Sequence, residues 1–301
     1  ITHNYQVEPT LAALSNGRFV AAWTDYSRTG GDTSGMAIRA QLFHPDGSKA
    51  GLPFLVNTTT AEDQVDAAVT ALAHGRFVVT WTDYSFAVGW PADERLQDVR
   101  AQIFNADGSP LGSEFIVNTI TGGRQESPAL TGLSNGDFVV VWENENQQTG
   151  DISGGIRAQR FSANGVKRGV EFTVNTILDS NQVQPSISPL ADGRFMVTWT
   201  DKVGGYYFKP WFIRGQVFNP DGSKSGSDFL VDSPTTPYHE RSSVATLADG
   251  RVVIAWTDSG SSARSPSGDD VRARIFDPRT RGLRLVGGRH ADDLIGSRFN
   301  D

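Results

Sequence analysis

Acidic side chains that recur at fixed positions, and a few that break the recurrence, are where this sequence could do chemistry. Asp25, Asp83, Glu143, Asp201 and Asp258 close one recurring string, and Arg39, Arg100, Arg157, Arg214 and Arg272 open the next. Acid and base at one end of neighbouring strands make ion pairs or bonds to loop backbone, and fivefold recurrence argues for structure rather than five active sites. Gln6, Gln64, Gln125 and Gln182 share another equivalent position with His239. That set bonds to the preceding loop or a neighbouring repeat, or lines a ligand site. His239 is its one imidazole, the side-chain type able to exchange protons near neutral pH, and counts as a candidate ligand contact. Glycosidase chemistry needs two carboxylates flanking the scissile bond, so a catalytic pair must depart from the repeat. Asp66 stands at the position that precedes Pro9, Pro128 and Pro185 in other copies, and Glu8 aligns with it. No serine, histidine and acid constellation is present, and the five histidines are scattered at 3, 44, 74, 239 and 290. Catalysis therefore finds no positive support in the sequence, and the enzyme question stays open with the balance against it.

Aromatic residues in the segments between recurring strings suggest binding instead. Phe86, Trp90 and Pro91 precede Asp93, Glu94 and Asp98, and Tyr206, Tyr207 and Phe208 precede Trp211. Aromatic faces stack on the C–H faces of sugar rings while carboxylates take the hydroxyls. Phe86, Trp90, Asp93, Tyr206, Tyr207, Trp211 and His239 are thus the candidate ligand-binding residues. The competing reading makes the aromatics small cores that close the loop ends.

The elements that must position these residues follow from the repeats. FVxxWTD and its variants place Trp23, Trp81, Trp142, Trp199 and Trp256 at spacings of 58, 61, 57 and 57, and (I/V)R(A/G)(Q/R)xF follows each time. Each copy parses into four strands joined by Asn-Gly, Asp-Gly or His-Gly turns such as Asn16-Gly17 and Asp46-Gly47. Two-residue type I′ hairpins are the expected form. Four antiparallel strands per unit, apolar on both faces, need a neighbour on each side, and a radial stack supplies it. The expected fold is all-β, a five-bladed β-propeller over 1–286, with repeats at approximately 6–63, 64–124, 125–181, 182–238 and 239–286. An open array of β-sandwiches would need about 90 to 100 residues per module. The loops between the second and third strands are long and unlike one another, so the binding surface is expected on that face.

Composition narrows the class. The chain has 301 residues, no cysteine and a net charge of −7. Disulfides and thiol chemistry are excluded. An acidic surface disfavours nucleic acid, and no apolar run is long enough for a membrane-spanning helix. Because the first residue is Ile1, the start is expected to be a processed or excised end.

The last residues, Gly287-Gly288-Arg289-His290-Ala291-Asp292-Asp293-Leu294-Ile295 and then Gly296 to Asp301, fit the nonapeptide GGxGxDxUx, with His290 and Phe299 where glycine belongs. Together with Ala191 to Thr200, Arg100 to Phe104 and Asp107 to Thr119, this resembles the secreted, hemolysin-type (RTX) calcium-binding repeat proteins of bacteria. The resemblance implies export and a monomeric domain within a larger chain. It also implies calcium, held at 287–301 by Asp292, Asp293 and Asp301 or in the variable loops. The combined expectation is an extracellular, non-catalytic module that binds a glycan or another cell-surface polymer. A polysaccharide hydrolase or lyase, and a ligand-free spacer of an adhesin, are the alternatives.

Overall fold

The computed structural model describes residues 4–85, 97–121, 123–145, 154–178, 180–203, 210–232, 238–259, 270–279 and 284–285. Their regular structure is almost wholly strand, in five four-stranded antiparallel sheets that are the blades of a five-bladed β-propeller. Blade 1 comprises β1 (Gln6–Ala13), β2 (Phe19–Asp25), β3 (Ala37–Phe43) and β4 (Phe54–Leu55). Blade 2 comprises β5 (Gln64–Ala71), β6 (Phe77–Asp83), β7 (Asp98–Phe104) and β8 (Pro110–Ile116). Blade 3 comprises β9 (Arg124–Gly132), β10 (Phe138–Glu145), β11 (Gly155–Phe161) and β12 (Lys167–Thr173). Blade 4 comprises β13 (Asn181–Pro189), β14 (Phe195–Lys202), β15 (Trp211–Phe218) and β16 (Phe229–Leu230). Blade 5 comprises β17 (His239–Thr246), β18 (Val252–Asp258), β19 (Asp270–Asp277) and β20 (Arg284–Leu285).

The chain divides into two compact units, one of Ile1–Gln148 with Arg157–Phe172 and one of Thr149–Ile156 with Thr173–Asp301. Within the first, Val20, Ile38, Phe77 and Trp81 belong to one buried cluster, and Val99, Leu130, Phe138 and Trp142 to another. Within the second, Met196, Ile213, Val244 and Trp256 share a cluster. The repeat strings explain these cores. The phenylalanine that opens FVxxW lies opposite the one that ends the next string, and Phe77–Phe104, Phe138–Phe161 and Phe195–Phe218 each stack with centroids 5.1 Å apart. Such pairs contribute about 0.5–1.5 kcal/mol beyond the area they bury.

The hairpins differ from the sequence expectation. In eight of the nine, only the glycine is left-handed, as at Gly17 with φ 81°. Gly17 N–H donates to Leu14 O at 3.0 Å and Leu14 N–H to Arg18 O at 2.8 Å, which is a three-residue loop. A side-chain bond supports it in most copies, as where Asn16 Oδ1 accepts Arg18 N–H at 3.1 Å. His74-Gly75, whose histidine accepts no such bond, has both residues at positive φ, 63° and 73°.

A second irregularity positions the site. Every first strand has a register shift after its second residue or its equivalent, as between Val7 and Thr10 or Val65 and Ala68. One residue in each bulge is left-handed: Glu8, Asp66, Ser127, Gln184 and Arg241, at φ 53° to 57°. Side chains other than glycine adopt this conformation at a cost, and bulges re-aim a side chain out of the strand alternation.

Candidate active site

The recurring polar residues form a structural clamp. Arg39 Nε donates to Asp25 Oδ2 at 2.5 Å, and Arg214 Nε to Asp201 Oδ2 at 2.6 Å. The same bond joins Arg100 to Asp83 and Arg272 to Asp258. The other carboxylate oxygen accepts from Gln6, Gln64 and Gln182 at 3.1 to 3.2 Å. The glutamine oxygen in turn accepts from the asparagine two residues past the preceding fourth strand, Asn57 to Gln64 at 3.0 Å and Asn175 to Gln182 at 2.9 Å. Burial works against the Asp25 charge, but bonds from Ser27, Gln6 and Arg39 prevail and hold its carboxyl below the usual range.

Blade 3 corrects the alignment of Glu143. Register pairs Asn144 with Gln125, so Asn144 occupies the clamp position and accepts Gln125 Nε2 at 2.9 Å. Glu143 stands instead where the other blades carry Thr24, Thr82, Thr200 and Thr257, opposite Glu126. Arg157 Nε donates to Glu171 Oε1 at 2.9 Å.

Acids gather at the bulges of blades 1 to 3. Asp66 Oδ2 accepts from Thr82 Oγ1 at 3.3 Å, and Thr82 Oγ1 accepts Ser127 N–H at 3.1 Å, which ties β5, β6 and β9 together at this point. Burial, then the charge of Glu8, push the Asp66 carboxyl above the usual carboxylate range, while the Thr82 hydroxyl pulls against them. Burial also raises Glu126, helped by the charges of Glu145 and Asp66 and opposed by Arg124. Tyr84, just past the end of β6, has its phenol pushed up to about 12 by burial and by the charges of Glu126 and Asp66. Glu8 is exposed. The result is a series of carboxyls linked by charge, Glu8 raising Asp66 and Asp66 adding to the rise of Glu126. Two of them favour the protonated form more than a free carboxyl does, which is the arrangement a general acid requires.

Glu8 and Asp66 were readable in the sequence as departures from the repeat. Glu126 was missed, although it replaces Val7, Val65 and Val183 of other copies, a signal the sequence carries openly. Tyr84 was missed because Tyr26 repeats it.

The other candidates are placed differently. Trp211 is half-buried, with Tyr238 edge-on at 5.0 Å and Lys202 Nζ 4.4 Å from its ring centroid. His239 is buried, with Nδ1 on Asp232 Oδ2 and Nε2 3.6 Å from Asp258 Oδ1, so it fills the glutamine's place in the clamp. Asp98 lies buried at the start of β7 and accepts Asn118 Nδ2 at 2.6 Å. Phe86, Trp90, Asp93, Tyr206, Tyr207, Asp292, Asp293 and Asp301 lie outside the described residues. Among the described residues no group of three or more histidine, aspartate or glutamate side chains could hold a metal ion.

No family model matches the sequence, and no curated protein matches it. Solved structures do share the fold. A protein of unknown function from Dyadobacter fermentans has a TM-score of 0.64 at 12% identity over 90% of this chain and 78% of that one. An α-L-arabinofuranosidase from Fusarium graminearum has a TM-score of 0.59 at 10% identity, covering 90% of this chain and 80% of that one. An α-L-arabinanase from Penicillium chrysogenum has a TM-score of 0.55 at 11% identity, covering 90% and 93%. The fold is thus one that carbohydrate-active enzymes use. This corrects the expectation of a non-catalytic binding module, since two of the three proteins named are an arabinofuranosidase and an arabinanase. At these identities the likeness concerns the fold, and the chemistry has to be argued from the bulge acids.

Proposed function

We propose that this protein is a polysaccharide hydrolase whose acids are Glu8, Asp66 and Glu126. The observation that carries the reading is that Asp66 and Glu126, on first strands of adjoining blades, are both raised by burial first, then by Glu8 at Asp66 and by Glu145 and Asp66 at Glu126. Glu126 then keeps a proton for the leaving glycosidic oxygen, and Asp66 helps it do so by repelling the negative charge that deprotonation creates. Exposed Glu8, which faces Asp66 electrostatically, takes the proton of the attacking water. A lyase is less well served, because its base must pull a carbon-bound proton beside a negatively charged sugar, and the site is acidic apart from Arg124. The resemblance to secreted repeat proteins agrees with an extracellular polymer as substrate.

The test is release of reducing ends from arabinan and other neutral polysaccharides, and of nitrophenol from 4-nitrophenyl α-L-arabinofuranoside. Glu126→Gln is expected to lower kcat/KM about 10³-fold with an unchanged circular dichroism spectrum. An inert wild-type protein across the panel, or a fully active Glu126→Gln variant, would overturn the assignment.

A further inference from the structure

In blades 1 to 4 a fourth chain segment covers the third strand in one repeated way. Val56, Val117, Val174 and Val231 donate N–H to the carbonyls of Ile38, Val99, Ile156 and Ile213, each at 2.8 Å. The next side chain closes a ring: Asn57, Asn118 and Asn175 Oδ1 accept the N–H of Ile38, Val99 and Ile156 at 2.9 Å, and Asp232 Oδ2 accepts that of Ile213 at 3.1 Å. The four third-strand residues are fully buried and the four valines buried over them. Glu114, Glu171 and Asp228, each just before a phenylalanine, meet Arg100, Arg157 and Arg214 at 2.9 to 4.0 Å. Among the described residues of blade 5 this cover is missing. Val271 pairs with Thr257 as Ile38 does with Thr24, so its N–H and C=O point to the same side, yet it is 81% exposed. There β20 reaches only Phe276 and Asp277, and the Arg272 side chain is 42% exposed where its four equivalents are 3 to 17%. The sequence that continues the chain is a poor match for the gap. Its spacing from Gly287 to Asp293 follows the repeat, but Arg289, His290 and Asp292 stand where blades 2 to 4 carry the acid, the phenylalanine and the valine. Arg289 would set a like charge against Arg272, and Asp292 a carboxylate where valine is buried.

We propose that the open edge of β19 is a docking site for an extended segment of a partner polypeptide with the pattern acid-Phe-x-Val-Asn. The segment adds a strand antiparallel to β19. Its valine N–H bonds to the Val271 carbonyl, its asparagine side chain takes the Val271 N–H, and its acid meets the exposed Arg272 guanidinium. Backbone bonds supply the affinity, while the acid, the valine and the asparagine select the partner. Left open, an edge of this kind invites unspecific pairing. The docking site is independent of the hydrolase reading, since Glu8, Asp66 and Glu126 belong to other blades.

The full chain is to be titrated with a fluorescent peptide that has the sequence of residues 112–119, Gly-Ser-Glu-Phe-Ile-Val-Asn-Thr, and the exchange of the Val271 amide followed by NMR. The peptide should bind saturably, raise the melting temperature as its concentration rises, and slow Val271 exchange about 10-fold or more. Peptides with Val117→Asp, Glu114→Lys or Asn118→Ala should bind more weakly, on the order of 100-fold for the first and 10-fold for the other two. Because these changes are made in the peptide, the fold of the protein is untouched. No saturable binding, equal binding of the Val117→Asp peptide, or unchanged Val271 exchange in the complex overturns the proposal. A Val271 amide already protected before peptide is added means that residues 287–293 or a second copy cover the edge, and overturns it as well.

Discussion

The bulge of blade 2 and the bulge of blade 4 do the same mechanical task with different chemistry. Each has a left-handed residue whose side-chain oxygen accepts a threonine hydroxyl, and that threonine accepts a backbone N–H from the next first strand. Blade 4 does this with the neutral amide of Gln184, whose oxygen also accepts Arg241 N–H at 3.0 Å. Blade 2 does it with Asp66, a carboxyl that burial and Glu8 drive toward its protonated form. An amide therefore suffices for the architecture. The acid in blade 2 is an expense the fold does not need, and it sits where Glu8 and Glu126 make it useful. The clamp acids give the opposite contrast: Asp25 lies in the same blade as Glu8, but donors on every side stabilise its charge.

The largest effect expected from this comparison is on stability, at the clamp. Asp25→Ala strands the Arg39 guanidinium, whose side chain is 3% exposed, and should cost about 3–5 kcal/mol by urea unfolding. Because the Asp25 carboxyl is lowered on folding, its contribution is present above the ordinary carboxylate value and fades as pH falls through the folded one. The deficit of the variant should accordingly shrink in acid. A variant as stable as the wild type at neutral pH would erase the distinction between clamp acids and bulge acids.

Asp66→Asn probes the other side. Burial and the Glu145 charge raise Glu126 most, and this substitution removes the further contribution of Asp66, so kcat/KM should fall and its alkaline limb should move to lower pH. Stability should move the opposite way. A raised carboxyl stabilises the native state below the ordinary carboxylate value, and that contribution is lost as pH rises through the folded value. The asparagine variant should therefore melt about 1–3 °C higher than wild type at neutral pH and equal it in acid. Gln184→Ala, by contrast, should leave kcat/KM unchanged. A pH profile that does not respond to Asp66→Asn would sever the coupling between the two acids.

The smallest effect concerns blade 5, where His239 and Asp232 stand in for the glutamine and asparagine that pair elsewhere. His239→Gln and Asp232→Asn should each destabilise by about 1–2 kcal/mol, because each alone leaves a mismatched partner. The double variant, with the amide pair of blades 2 and 4 restored, should regain most of that loss in a double-mutant cycle. Additive losses would mean that the pair is not a unit.

The sequence by itself determined the blade count, the four strands of each blade and the arginine–aspartate clamp. Those features come from local pattern and recurrence: apolar alternation, Asx-Gly turns and residues equivalent by repeat. It also marked Glu8 and Asp66 as departures, while the assignment of Glu143 to the clamp failed because the strand register, and not the nearest acid to the tryptophan, sets equivalence. Only the tertiary structure decided that Glu126 and Tyr84 share a site with Asp66. They lie 60 and 18 residues from it in the chain, and only the pairing of strands and the contact of adjoining blades bring them within range of its charge. The left-handed bulge was likewise invisible, since glutamate, aspartate, serine, glutamine and arginine have no common side-chain chemistry to announce it. Protonation preference belongs to the same class of property. It arises from how much water the fold removes from a carboxyl and which charges it brings near, and neither quantity exists before the blades pack.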